Sequence, residues 1–167
     1  MTNSQIEKLA EKVFAKLGDV IPVDMIKAAR LHDIDVFVTH MEKTVGATPS
    51  GILVEQQKKW AILLNIDDTL TRQRFTIAHE IGHFLIHKGK QFVDEFTAGE
   101  TFYRDGSDNE EEQEANYFAA CLLMPEEEVE RIWPQCKDPK DAAVRFKVSE
   151  VSMTYRLKKL GLITVEE

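Results

Sequence analysis

Cysteine is scarce in this chain: among 167 residues only Cys121 and Cys136 occur. Two thiols do not make the disulfide framework of a small secreted domain. The N-terminus, Met1-Thr2-Asn3-Ser4-Gln5, lacks the basic-then-apolar pattern of an export signal, and no apolar run approaches membrane-spanning length. The expected setting is therefore the reducing cytoplasm, without a membrane partner. There is no internal repeat, and no low-complexity tract beyond the acidic cluster at 110 to 114. Positive charge is also in deficit. A formal net charge of −8 argues against nonspecific nucleic-acid binding by the protein as a whole.

What is present is ordinary for a globular protein, with 43% hydrophobic and 30% charged residues. The length suits one domain, or one domain with a small appendage. Charge is uneven along it. Residues 137 to 160 hold seven Lys/Arg against three Asp/Glu, a balance of +4; with −2 at Glu166 and Glu167, the first 136 residues carry −10. That contrast, with Pro134 to Pro139 as an expected hinge, divides the chain into a domain at 1–135 and a C-terminal helical hairpin at 136–167.

Ile6, Leu9, Val13, Phe14 and Leu17 recur at helical spacing, with Gly18 as a stop. Pro22 suits a first helical position and predicts a second helix to about His32. Ile34 to Thr39, Gly51 to Glu55 and Trp60 to Ile66 read as strands. Helices are expected from Asp68–Thr71 to Lys88-Gly89, from Glu110 to Met124, and from Glu126 to Trp133. A last pair covers Lys140 to Phe146 and Ser149 to Leu160. The fold class is α+β: a small, mostly antiparallel three-stranded sheet packed on helices.

The chemistry centres on Phe75-Thr76-Ile77-Ala78-His79-Glu80-Ile81-Gly82-His83-Phe84-Leu85, an HExxH motif inside an amphipathic helix. Helix residues four apart lie about 40° apart around the axis and about 6 Å along it. His79 and His83 can thus aim two imidazoles at one tetrahedral zinc, and Glu80 can flank it as the base for a zinc-polarised water. A catalytic zinc needs a third protein ligand. Residues 86 and 89, which would be Gly and His in the metzincin extension, are Ile86 and Gly89. The ligand is then expected to be a carboxylate on another helix, as in the gluzincin arrangement.

Four glutamates between Glu110 and Glu114 qualify. Glu112, Ala115, Asn116, Ala119 and Leu123 share one stripe within about 60° of Glu112. Ala115 and Ala119, facing Gly82, would let the two helices approach closely and aim Glu112 at the metal, with Glu111 as the competitor. Asn116 could accept a hydrogen bond from His79 or His83 and fix its tautomer. Glu114, about 200° from Glu112, is expected to face solvent or the opposite side. His87 lies about 12 Å along the axis from His79, too far to share the ion, and reads as a helix-end residue. Cys121, about 180° from Glu112, reads as a packed thiol, and Cys136 has no partner at metal spacing.

The runs Arg74 to Phe84 and Glu112 to Pro125, the latter ending Cys121-Leu122-Leu123-Met124-Pro125, resemble the ImmA/IrrE family of zinc metallopeptidases. So do Phe146-Lys147-Val148-Ser149, Arg156-Leu157 and Leu160-Gly161-Leu162, and the upstream Ser50-Gly51-Ile52-Leu53 and Ile62-Leu63-Leu64-Asn65. The resemblance implies a zincin-like fold and one zinc per chain on His79, His83 and Glu112, with Glu80 as catalytic base. It also implies a cytosolic endopeptidase that cleaves a helix-turn-helix repressor, relieving repression of a mobile element or stress regulon. With the sequence ending at Glu167, the sensor domain of longer members is not expected.

Two other function classes are weighed beside this one: a noncatalytic antirepressor that only binds the repressor, and a DNA-binding regulator with a relic metal site. An intact Glu80 favours the protease. The C-terminal pair, with Ser149 as a helix cap, superficially resembles helix-turn-helix, and Arg156, Lys158 and Lys159 could meet phosphates. A hairpin packed on the first domain, with Val144, Val148, Leu157 and Leu160 joining its core, is favoured over DNA contact. Tyr103 and Arg104, in the long loop before Glu110, are candidates for transition-state or substrate contacts. An extended substrate is expected beside Trp60 to Ile66, read as an edge strand.

Overall fold

The computed structural model describes residues 1–42, 48–87, 92–93 and 110–164. The chain opens with α1 (Asn3–Leu17), whose start is a capping box: Thr2 Oγ1 accepts from Gln5 N and Gln5 Oε1 accepts from Thr2 N. Ile6, Ala10, Val13, Phe14 and Leu17 form its buried stripe, and Gly18 ends it at φ +93°, a conformation costly for any side chain. The second helix departs from expectation. α2 (Met25–Arg30) begins after Asp24, whose carboxylate accepts from Lys27 N at 2.9 Å, and not at Pro22. A side-chain acceptor for an orphan N–H outcompetes the preset φ of proline.

The sheet holds β1 (Ile34–Thr39), β2 (Gly51–Gln56), β3 (Lys59–Asn65) and β4 (Phe92–Val93) in the order β1-β3-β2-β4. The three expected strands are there, extended by the two-residue β4. β2 and β3 form a hairpin whose register pairs Gln56 with Lys59 and Gly51 with Leu64. Gln57 and Lys58 both take positive φ at its tip, the conformation whose twist matches a two-residue hairpin. β4 pairs antiparallel with Ile52 and Leu53 of β2. β1 runs parallel to β3, Ile34 beside Trp60 and Thr39 beside Asn65. Trp60 to Ile66 therefore belongs to an interior strand, and its expected role as the edge that receives substrate is corrected. Pairing with β1 on one side and β2 on the other uses both of its hydrogen-bonding edges.

α3 (Leu70–His87) crosses beneath this sheet. At Gly51 a Cβ would sit 2.3 Å from Thr76 Cγ2, so the missing side chain lets β2 rest directly on α3. α4 (Glu110–Leu123) packs on α3 through a second close approach. A Cβ at Gly82 would lie 3.1 Å from Phe118 Cδ1 and 3.2 Å from Ala115 Cα. α1 covers the other side of α4, where the Tyr117 hydroxyl donates to Glu7.

α5 (Glu126–Cys136), α6 (Pro139–Phe146) and α7 (Glu150–Lys159) complete the chain. Pro134 lies inside α5, so the expected hinge from Pro134 to Pro139 shrinks to Lys137 and Asp138. Near a helix end a proline forfeits one backbone bond, which the rest of the helix tolerates. Asp138 caps α6 and Ser149 caps α7. Phe146, Val148, Met153 and Leu157 are buried in the same hydrophobic cluster as α1, α3 and α4, and Leu160 packs against it. Val144 does not join: it is 70% exposed and lines an apolar groove with Ile26, Val38 and Leu70. No helix among the described residues is long and apolar enough to cross a membrane.

Candidate metal centre

The buried middle of α3 carries three polar side chains in one turn and a half: His79, Glu80 and His83, each no more than 1% exposed. Such burial is costly unless the polar atoms are satisfied. Gly82 brings α4 close enough for that. Glu112 Oε1 lies 3.0 Å from His83 Nε2 and Glu112 Oε2 lies 3.2 Å from His79 Nε2. The two Nε2 atoms are 2.9 Å apart. Burial by itself pushes the Glu112 carboxyl up. The hydrogen bonds and charge of the two histidines outweigh burial and hold it well below the usual carboxylate range.

The ligand atoms of His79, His83 and Glu112 all lie within 4.8 Å of one another. An ion bonded to four ligands at about 2.0–2.1 Å in a tetrahedron sets neighbouring ligand atoms about 3.3 Å apart. The observed 2.9–3.2 Å is close to that spacing, and two imidazoles with one carboxylate is a donor set that suits zinc. The Glu112 side chain is 23% exposed, so the cluster reaches solvent on this side. Among the described residues the cluster has three protein donors, the number that a catalytic zinc site uses, where a closed structural site has four.

The surrounding contacts orient the rings. His79 Nδ1 lies 2.8 Å from Asn116 Oδ1, an acceptor, so Nδ1 carries a hydrogen and Nε2 is the nitrogen that faces the cluster. The ring of Phe75 stacks on His79. Of the two histidines that Asn116 might have served, the geometry selects His79. His83 Nδ1 lies 3.0 Å from His87 Nδ1, and His87 Nε2 lies 3.0 Å from Glu114 Oε2.

That last pair decides where Glu114 points. Of the two placements expected for it, solvent or the opposite side, it does not take solvent: its side chain is 12% exposed, meets His87, and also contacts the Met1 amino group. The flank of α4 opposite Glu112 is covered by α1, so two long side chains meet there across the end of α3. His87 is a helix-end residue, as its position implies, but a bonded one. The signal available in the sequence was its i,i+4 spacing from His83.

Glu111 is half-buried and is not one of the clustered donors. Tyr103 and Arg104 lie outside the described residues. Cys121 is buried on the far side of α4, and burial pushes its thiol up to about 11. Arg156 is a further correction. It is 3% exposed, and its Nε donates to the Met124 carbonyl at 3.0 Å, which removes it from any surface that could touch phosphate. Lys158 and Lys159 remain exposed.

Comparison with known proteins agrees with this geometry. The chain is 24% identical to metallopeptidase ImmA of Bacillus subtilis (strain 168) over 114 residues, which is 67% of this chain and 64% of that protein. Among solved structures it is similar to a Mycobacterium tuberculosis transcriptional regulator, with a TM-score of 0.63 at 18% identity, over 92% of this chain and 47% of that one. The chain thus spans about half to two thirds of the length of these relatives, and at such identity the second shows a shared fold. A family model for the IrrE N-terminal-like domain, a peptidase family, matches residues 29–158, from α2 through the HExxH helix and the Glu112 helix to α7. By that match across most of its length, the chain belongs to the IrrE N-terminal-like peptidase domain family.

Proposed function

We propose that the protein is a cytoplasmic zinc endopeptidase that cleaves a helix-turn-helix transcriptional repressor and so relieves repression of a mobile element or stress regulon. The observation that carries this reading is the convergence of the ligand atoms of His79, His83 and Glu112 within 4.8 Å of one another, with the adjoining Glu80 fully buried. His79, His83 and Glu112 would hold one zinc. Bound there, the ion would supply Lewis acidity, polarising a peptide carbonyl and making water acidic near neutral pH.

The remaining work falls to the protein. The Glu80 carboxylate accepts the proton of the attacking water and returns it to the leaving amine. Asn116 holds the His79 ring so that Nε2 faces inward. Among the described strands β1 and β4 are the outer ones, so an extended substrate would add beside one of these and not beside β3.

Residues 136–167 are read as a helical appendage packed on a peptidase domain at 1–135 and used for protein contacts. Arg74 of α3 supports this, donating to the carbonyls of Phe146 and Lys147, as does the tie from Arg156 to Met124. The DNA-binding alternative loses Arg156, one of its three cations. The antirepressor alternative differs only at Glu80.

The test is incubation with the helix-turn-helix regulator encoded beside this protein, with and without chelator, read by mass spectrometry. Two complementary fragments are expected, absent with chelator and absent for Glu80→Gln. An intact regulator under all conditions, with repression still relieved in cells by Glu80→Gln, would establish binding without catalysis.

A further inference from the structure

β1 is an outer strand of the described sheet, and its register with β3 fixes which of its backbone groups are engaged. Thr39 stands beside Asn65, and the Thr39 carbonyl accepts from Ile66 N at 2.9 Å. In a parallel ladder a residue bonded in this way turns both its N–H and its C=O to the neighbouring strand, and every second residue does the same. Asp35, Phe37 and Thr39 therefore bond β3, while Val36 and Val38 turn their N–H and C=O away from the sheet. Val38 is 51% exposed, so solvent reaches this edge. No lysine or proline lies between Ile34 and Thr39 to blunt it.

The side chains of the same two valines share one face of β1 and line an apolar groove of about 580 Å³, which Ile26, Leu70, Ile77 and Val144 continue. Its charged side chains are Arg74, Lys147 and Asp24. Arg74 donates to the carbonyls of Lys147 and Phe146 and, among the described residues, meets no carboxylate. The Asp24 carboxylate is engaged in capping α2. We propose that β1 and this groove dock an extended segment of the regulator, which adds as a strand beside β1, lays alternate apolar side chains in the groove and sets a carboxylate on Arg74.

The proposal rests on the repressor-cleaving reading above and names where that partner is held. Strand addition combines main-chain hydrogen bonds with pockets for every second side chain, and here Val36 and Val38 supply both. A guanidinium lined by apolar side chains favours a carboxylate partner. A second copy of the chain suits the site less well. Pairing β1 with its own copy brings only Asp35, which alternation places on the opposite face from Val36 and Val38. The segment is held and not cut there. Leu70, Arg74 and Ile77 lie about 140–180° round α3 from His79, on the side of the helix away from the metal cluster.

The test is fluorescence anisotropy with the labelled helix-turn-helix regulator encoded beside this protein, titrated with zinc-loaded Glu80→Gln protein so that nothing is cut. Val38→Pro, which removes one outward N–H, and Val144→Asp, which puts an anion in the groove, are added singly, with circular dichroism to verify folding. Each is expected to weaken binding by ~10-fold, about the effect of one lost hydrogen bond or one misplaced charge. Residue-resolved hydrogen exchange is expected to show the Val36 and Val38 amides protected when the regulator is added. Wild-type affinity in both folded variants, or unprotected amides in a saturated complex, overturns the proposal. So does a regulator that does not bind, or a dimer of this chain in sedimentation that Val38→Pro abolishes, which would give the edge to a second copy. If Val38→Pro does not fold, Val144→Asp and the exchange data decide. Binding that depends on β1, with no cleavage by the wild type, would sink the peptidase reading and leave the docking site standing. Cleavage with affinity indifferent to both substitutions would do the reverse.

Discussion

The α3–α4 interface and the α5–α7 tail both bury charged side chains, but to different ends. Between α3 and α4, polar atoms converge: two imidazole nitrogens and a carboxylate point at one volume, and further polar groups hold the rings in place. In the tail, Arg156 is buried singly, with its Nε on the Met124 carbonyl, and it fastens one helix to the end of another. The lesson lies in convergence. Donors of like kind aimed at one point make a place for a cation, whereas a cation aimed at a backbone carbonyl makes a tie. Counting charges along the tail could not separate Arg156, which is structural, from Lys158 and Lys159, which face solvent.

The contrast is broken most severely at Glu80. Glu80→Gln is expected to retain zinc and fold while lowering cleavage by ~10²–10⁴-fold, the usual share of a general base. Parallel zinc analysis and single-turnover cleavage check it; equal loss of metal and activity would assign Glu80 to binding. In Gly82→Ala the new methyl would meet Phe118 and the Ala115 backbone at 3.1–3.2 Å. Overpacking of this kind costs about 1–3 kcal/mol, and here it also moves Glu112 away from the histidines. Urea unfolding and zinc affinity should therefore fall together, and a stability loss without a change in affinity would mean that α4 need not sit so close.

In the tail, Arg156→Ala should destabilise the protein by about 1–3 kcal/mol, since the buried Met124 carbonyl loses its donor. Charge reversal at Lys158 and Lys159 should leave stability within about 0.5 kcal/mol. Thermal unfolding of the two variants separates a tie from a surface, and similar melting temperatures would erase the distinction.

The smallest effect concerns the thiols. The folded Cys121 thiol, raised to about 11 by burial, favours its neutral form. Folding is thus supported below the unfolded thiol pKa of about 8.5, and that support fades as pH rises from there toward 11. At pH 8 one thiol per native chain, the half-buried Cys136, should react quickly with an alkylating probe. Equal labelling of both would show that the core around Cys121 opens readily.

Much of this was legible in the sequence where the information is local. α3 and α4 follow from apolar spacing and their stops, and Glu112 shares a stripe with Ala115 and Ala119 because a single helix fixes that geometry. What escaped was set by contacts between distant segments. The order β1-β3-β2-β4 depends on a parallel pairing across the β2–β3 hairpin, which no property of Trp60 to Ile66 announces. Helix rotation leaves Glu114 facing solvent or the opposite side, because the roughly 200° from Glu112 is a fact about α4 alone, while its partners, His87 and the Met1 amino group, come from other segments. Val144 was placed in the core by its period and lines an open groove instead.

The central claim is that His79, His83 and Glu112 hold one zinc. Its most direct test is zinc stoichiometry by native mass spectrometry for the wild type, Glu111→Ala and Glu112→Ala, each verified as folded. One zinc per chain is expected in the wild type and in Glu111→Ala, with loss in Glu112→Ala. Full occupancy in Glu112→Ala, or loss in Glu111→Ala instead, would contradict the account.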